Sequence, residues 1–89
     1  MKELDCKLKI EYLLDDLDLA EQRNETYHGA YQKLLEVKRN YYDELEVISF
    51  EAAVANLITG LARWGKKLPA HRQPFRYLNL QEYAQTCLS

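Results

Sequence analysis

The sequence predicts an all-α fold: a small antiparallel helical bundle with a long N-terminal helical hairpin and a short C-terminal helix. Three observations predict it. No proline precedes Pro69, and the stretch before it is rich in Leu, Ala, Glu, Lys, Gln and Asp, residues that suit helix interiors better than sheets. Cys6, Ile10, Leu13, Leu17, Ala20, Asn24, Tyr27, Tyr31, Leu34, Lys38, Tyr41, Leu45 and Ile48 step by four and three without a slip, which puts them on one helical stripe. Apolar residues make up 47% and charged residues 29%, a balance that folds rather than staying disordered, and 89 residues support one core, so residues 1–89 read as a single helical domain.

The first helix is expected over 3–23. Its 4-3 spacing either seams a coiled coil or faces a bundle core, and Leu14, Leu35 and Tyr42 widen the stripe toward the bundle. A competing signal sits at its start, where Leu4, Cys6, Leu8, Ile10 and Tyr12 alternate with charged residues at the period of a short half-buried strand. A helix of about 45 residues from here to Glu46 would run about 68 Å, too long for so small a globule. A break is therefore expected within Arg23-Asn24-Glu25-Thr26-Tyr27-His28-Gly29, where Asn and Thr can cap and Gly disfavours helix. The alternative is one continuous helix in a parallel dimer, with Asn24 setting the register.

The second helix is expected over 27–46, ending where β-branched Val47 and Ile48 precede Ser49, a residue able to cap the next helix. The third, 50–64, carries Phe50, Ala53, Val54, Leu57, Ile58 and Leu61 on one core face. Gly65, Lys66, Lys67 and Pro69 then supply a left-handed cap, dipole-complementing charge and a stop. Residues 66–78 read as a basic irregular linker. A capping box of Asn79 and Glu82, with Leu78 and Tyr83 as a hydrophobic staple, starts a last helix over 80–87.

The net charge of -2 hides an asymmetry: residues 1–49 hold 12 acids against 7 bases, and residues 50–89 hold 2 against 5. The basic stretch Arg63-Trp64-Gly65-Lys66-Lys67-Leu68-Pro69-Ala70-His71-Arg72-Gln73-Pro74-Phe75-Arg76-Tyr77 interleaves cations with aromatics, a composition suited to phosphates and stacked bases. The same cations could instead grip an acidic partner, and the aromatics could plug a core.

Chemistry-bearing motifs are few. The two histidines, His28 and His71, have no recognisable nucleophile or orienting group around them in sequence. The acids Asp15, Asp16, Asp18 and Asp43, Glu44, Glu46 lack the ligand alternation and glycine of a calcium loop, and nothing resembles a zinc or phosphate-loop pattern. No catalytic residue, cofactor or metal is therefore expected. Cys6 and Cys87 stand far apart in sequence, so reduced thiols are expected; with an acid-rich start and no long apolar run, a cytoplasmic chain with no membrane span is expected.

What the sequence does mark is surface. The third helix's outer face, Ala52, Ala55, Asn56, Thr59 and Arg63, is nearly uncharged and built of small groups, open to cover by the hairpin, the last helix, a second copy or another protein. Tyr27, Tyr31 and Tyr41 on the stripe offer large apolar bodies with polar tips, which suit half-wet interfaces, and Tyr41 and Tyr42 together are hard to bury in so small a body. The expected function is a non-enzymatic protein–protein interaction module, an adaptor, assembly factor or inhibitor that self-associates as a homodimer through Tyr27, Tyr31, Tyr41, Tyr42, Leu45, Ala55, Asn56 and Thr59. The alternative is a nucleic-acid-binding regulator using Arg63, Trp64, Lys66, Lys67, Arg72, Phe75, Arg76 and Tyr77.

Overall fold

The four-and-three stripe folds as two helices. In the computed structural model, which describes residues 2–23, 29–68 and 75–89, α1 spans Lys2–Gln22 and α2 spans Ala30–Leu45. Gly29, at φ 82°, occupies the residue before α2, a left-handed position that glycine takes without steric cost. The rest of the expected break, Asn24 to His28, lies outside the described residues. The strand signal at the start is overturned: residues 2–22 are helical throughout, and no strand occurs among the described residues.

α3 spans Phe50–Lys66. Its start follows the local chemistry read from sequence, since the Ser49 hydroxyl accepts a hydrogen bond from the Ala52 backbone N–H at 3.2 Å, satisfying one of the first-turn donors. Its end differs from expectation. Gly65 is inside the helix and buried, the cap is Lys67 in a right-handed conformation, and a Cβ at Gly65 would overlap the Tyr77 ring. Gly65 thus serves close packing, not a left-handed turn.

α4 spans Phe75–Leu88, longer than the expected 80–87, so Asn79 and Glu82 lie within a helix and cap nothing, and Leu78 is exposed and staples nothing. The irregular connection expected over 66–78 is corrected at both ends, where residue 66 belongs to α3 and residues 75–78 to α4; residues 69–74 lie outside the described residues.

Specific contacts align neighbouring helices so that residue numbers rise along one as they fall along the other. α1 meets α4 through Cys6 with Cys87, Lys9 over the Tyr83 ring at 4.8 Å, and Asp16 with Arg76 at 2.7 Å. α3 meets α4 where Trp64 packs edge-on against Tyr77 and where Gln81 donates to the Ile58 carbonyl. α2 meets α3 through Glu44 with Asn56 and through the Trp64 indole N–H, which donates to the Ala30 carbonyl at 2.8 Å. The core between them comprises Cys6, Ile10, Leu14 and Leu17 of α1, Leu34 and Tyr41 of α2, Phe50, Ala53, Val54, Leu57, Leu61 and Trp64 of α3, Leu68 after it, and Tyr77, Leu80 and Ala84 of α4. The assembly is 39 Å in its longest dimension, which accommodates α1 at about 32 Å but not a continuous helix through residue 46.

The expectation of reduced thiols is also overturned. Cys6 and Cys87 are disulfide-bonded, with Cα atoms 6.1 Å apart. Their 81-residue sequence separation gave no hint of this; the pairing of α1 with α4 brings the two ends of the chain together.

Candidate functional site

Apolar residues four apart stack on one side of a helix, and a residue two positions on from each lies on nearly the opposite side. α1 uses both sides. Cys6, Ile10, Leu14 and Leu17 fall within an arc of about 80° and enter the core, whereas Leu4, Leu8, Tyr12 and Leu19 fall within a second arc of about 80° on the far side. The latter four are 58%, 57%, 68% and 54% exposed. Scattered exposed leucines need no explanation, but four large apolar side chains in register on one helix face make a patch of the kind that marks a docking surface. Sequence reading missed these residues as a site. The signal was present as the alternation of Leu4, Cys6, Leu8, Ile10 and Tyr12: two interleaved helical stripes produce the period of a strand.

The margin of this face toward α2 is fixed by a polar clamp. The Lys38 ammonium lies 2.9 Å from Asp15 and donates to Asp18 at 2.7 Å, and the Tyr31 hydroxyl donates to the other Asp18 oxygen at 2.6 Å. Burial pushes the Asp18 carboxyl up, but the hydrogen bonds from Lys38 and Tyr31 and the Lys38 charge outweigh it and hold the carboxyl below its ordinary value. The Tyr31 phenol is raised, first by its hydrogen bond to Asp18 and then by burial. Burial also works against the Lys38 charge, but its bonds to Asp18 and Asp15 and their charges overcome this and raise it above the usual lysine range. On the margin toward α4, Arg76 holds Asp16.

The partner-binding residues read from sequence divide into two groups. Tyr41 is buried in the core, so it is not available to a partner; Tyr31, Tyr42 and Leu45 are half-buried, Tyr31 in the clamp and Tyr42 and Leu45 packed against the core; Tyr27 lies outside the described residues. Among the described residues of this group, then, the fold takes Tyr41 fully and the other three in part. Tyr41 and Tyr42 pack ring to ring at 5.3 Å, and burial above all pushes each phenol up to about 12, with the charges of Tyr42 and Glu11 adding for Tyr41 and those of Asp15 and Glu11 for Tyr42. The Tyr41 hydroxyl is buried without a hydrogen-bond partner. The second group, Ala55, Asn56 and Thr59, is exposed together with Ala52 and Arg63, so the last helix does not cover this face. A cleft of about 300 Å³ runs beside it between α2 and α3, where Asn56 and Thr59 face Val37, Asn40 and Glu44.

The basic segment is taken apart by folding. Trp64 and Tyr77 are core residues, Arg76 is ion-paired with Asp16, and Arg63, Lys66 and Lys67 are exposed near the end of α3. Phe75 opens α4, and Arg72, like His28 and His71, lies outside the described residues. Among the described residues no group of three His, Cys, Asp or Glu side chains is arranged to hold a metal ion, and no helix is long and apolar enough to cross a membrane.

Comparison with protein-family models, with curated proteins and with solved structures gives no match to this chain.

Proposed function

We propose that the protein is a non-enzymatic protein–protein interaction module, an adaptor, assembly factor or inhibitor, whose docking surface is the outer face of α1. The observation that carries this reading is the row Leu4, Leu8, Tyr12 and Leu19, each more than half exposed and opposite the side of α1 that enters the core. Holding four large apolar side chains in water forgoes about 25 cal/mol for each Å² that a partner would cover. The disulfide to α4 and the ion pairs to Lys38 and Arg76 hold that face on a rigid support, which lowers the ordering cost of binding. The face replaces Tyr41 and its stripe neighbours as the expected self-association surface, and the exposed outer face of α3, with Ala52, Ala55, Asn56 and Thr59, serves as its control.

The test is photo-crosslinking in living cells with a photoreactive phenylalanine analogue in place of Tyr12, beside the same analogue in place of Ala52 on the outer face of α3. Covalent products at position 12 and none at position 52 are the expected result. No product at position 12, or equal products at both, overturns the reading.

Nucleic-acid binding is a second reading, favoured by the exposed cations Arg63, Lys66 and Lys67 grouped near one helix end. It loses Trp64 and Tyr77 as stacking platforms because both are buried. Retention of nucleic acid that disappears in an Arg63/Lys66/Lys67 triple alanine variant would favour it; identical retention by parent and variant would exclude it. A cytoplasmic location belongs with the composition, and the Cys6–Cys87 bond stands against it because disulfides persist in oxidising compartments. The redox state of that pair in cells decides between them.

A further inference from the structure

Two adjoining clefts run between α2 and α3, one of about 300 Å³ and one of about 240 Å³, and both have Val37, Asn40, Gly60 and Arg63 in their walls, so that they make one groove. We infer that this groove binds a small phosphomonoester, with Lys33, Arg63 and Lys67 around the phosphate and the uncharged body lying toward Asn40 and Thr59. The inference is separate from the α1 face and goes beyond the interaction-module reading.

The shape of the groove follows from a close approach of the two helices. Gly60 carries no side chain, and a Cβ there would come within 3.2 Å of Val37. α2 and α3 therefore meet tightly along their inner edges, while the side chains on the outer edges, Lys33 and Asn40 from one and Thr59 and Arg63 from the other, stand in solvent. The Trp64 indole, which donates to the Ala30 carbonyl at 2.8 Å, fixes the end of α3 against the start of α2, and this brings Lys33 to the same cleft as Arg63 and Lys67. Ala52 and Ala55, farther round α3, line neither cleft.

Charge selects the occupant. The smaller cleft is lined by three cations, Lys33, Arg63 and Lys67, and by one carboxylate, Glu36, which leaves two positive charges in excess. Among the described residues none of the three cations is in an ion pair. The other carboxylate of the groove, Glu44, accepts a hydrogen bond from Asn56 at 3.2 Å. It lies eleven residues along α2 from Lys33, about 16 Å away and beyond the screening length of about 8 Å at physiological salt. Arg63 and Lys67 also offset the dipole at the end of α3, but Lys33 is the fourth residue of α2, near the end of a helix where a cation is disfavoured, so helix electrostatics do not account for it.

A phosphomonoester carries about -1.5 to -2 charges at neutral pH and three acceptor oxygens, which balances the excess and gives each cation an oxygen. A carboxylate brings one charge and two oxygens. Beyond the cations the groove offers Asn40, Asn56 and Thr59 above apolar Val37 and Leu57, a lining that suits a sugar or nucleoside body and a volume that holds one small molecule.

The test is an NMR titration of the intact chain, read at the Asn40 and Gly60 amides at physiological ionic strength, with inorganic phosphate, adenosine monophosphate, glucose 6-phosphate and adenosine as probes. One of the two esters should bind saturably and more tightly than inorganic phosphate, its identity distinguishing a nucleoside body from a sugar, and adenosine should not bind. Lys33→Gln and Arg63→Gln, both at exposed sites and checked for unchanged circular dichroism, should each raise the Kd of that ester about tenfold, the size of one charge-assisted hydrogen bond. Lys66→Gln, exposed at the same end of α3 but outside the groove lining, should change it by less than about twofold.

No saturable shift from either ester, an ester no tighter than inorganic phosphate, or losses from Lys66→Gln equal to those from Lys33→Gln would overturn the inference. A single-stranded oligonucleotide that binds where both esters fail would overturn it too and move these cations to the nucleic-acid reading. Crosslinking at position 12 of α1 is untouched by any of these outcomes, so the two proposals fail separately.

Discussion

α1 and α3 do the same work on their inner sides and differ on their outer ones. Both present a continuous row to the core, Cys6, Ile10, Leu14 and Leu17 from one and Phe50, Ala53, Val54, Leu57, Leu61 and Trp64 from the other. Outward, α3 shows Ala52, Ala55, Asn56, Thr59 and Arg63, small or polar groups that lose little in water, whereas α1 shows Leu4, Leu8, Tyr12 and Leu19. A helix that only has to complete a core needs one apolar side. The second side of α1 is therefore not explained by the core it helps to build, and the outer face of α3 is the internal control for what a helix looks like when nothing further is asked of it.

The sharpest way to break this comparison is to remove one leucine from each side of α1. Leu14→Ala, at a fully buried site, should cost about 2–5 kcal/mol of unfolding free energy, while Leu8→Ala should stay within about 0.5 kcal/mol when measured by denaturant melts at a dilution that keeps the chain monomeric. Comparable losses at both sites would mean that the outer face is packed in the protomer after all.

Next in size is the tie between α1 and α4. A cross-link closing a loop with an 81-residue separation stabilises chiefly by restricting the unfolded chain, so a Cys6→Ser/Cys87→Ser variant should lose about 2–4 kcal/mol, and a reducing agent should lower the melting temperature of the parent and leave that variant unmoved. Equal melting with and without reductant would remove the disulfide from the account. Gly65→Ala should follow at about 1–3 kcal/mol, because the added methyl must displace the Tyr77 ring from its place beside Trp64; no change would show that ring to be mobile.

Titratable groups between α1 and α2 make the stability of the fold depend on pH. The Asp18 carboxyl is lower in the folded state, so its contribution is present above the ordinary carboxylate value and is lost as pH falls through the folded one. Tyr41 and Tyr42 are raised from 10.0 to about 12, so their contribution is complete below 10 and is lost as pH rises toward 12. Stability measured across pH should therefore plateau near neutrality and fall on both flanks, and tyrosinate absorbance should show three phenols, Tyr31, Tyr41 and Tyr42, titrating late. The smallest effect belongs to Tyr41→Phe, which removes a buried hydroxyl that has no partner and should be neutral or stabilising by up to about 1 kcal/mol. A loss of more than about 1 kcal/mol would reveal a hydrogen bond to that oxygen.

How far the sequence disclosed all this follows from which forces are local. Ser49 and the row from Phe50 to Leu61 were legible because capping and helical periodicity act within a few residues, and both stand as read. The start of α4 was not, because Asn79 and Glu82 match a capping box while the helix begins upstream at Phe75, where Tyr77 finds its place against Trp64 and Gly65. Gly65 misled in the same way: a glycine before two lysines and a proline looks like a helix stop, and only the packing of α4 shows what its missing side chain is for. The disulfide depends on α1 meeting α4 and was invisible along the chain. In the candidate site, the stripe through Tyr41 reads from sequence as one face, of which the fold buries Tyr41 and half-buries Tyr31, Tyr42 and Leu45, and the row of Leu4, Leu8, Tyr12 and Leu19 is hidden inside a strand-like alternation.

The most direct test of the outer face of α1 as the surface this protein uses is the solution mass of three chains over a dilution series: the parent, Leu8→Lys and Ala55→Lys. A parent and an Ala55→Lys variant that share the same dimer affinity, beside a Leu8→Lys variant that sediments as a monomer, is the predicted result. Dissociation by Ala55→Lys with Leu8→Lys unaffected would contradict it and transfer the interface to α3.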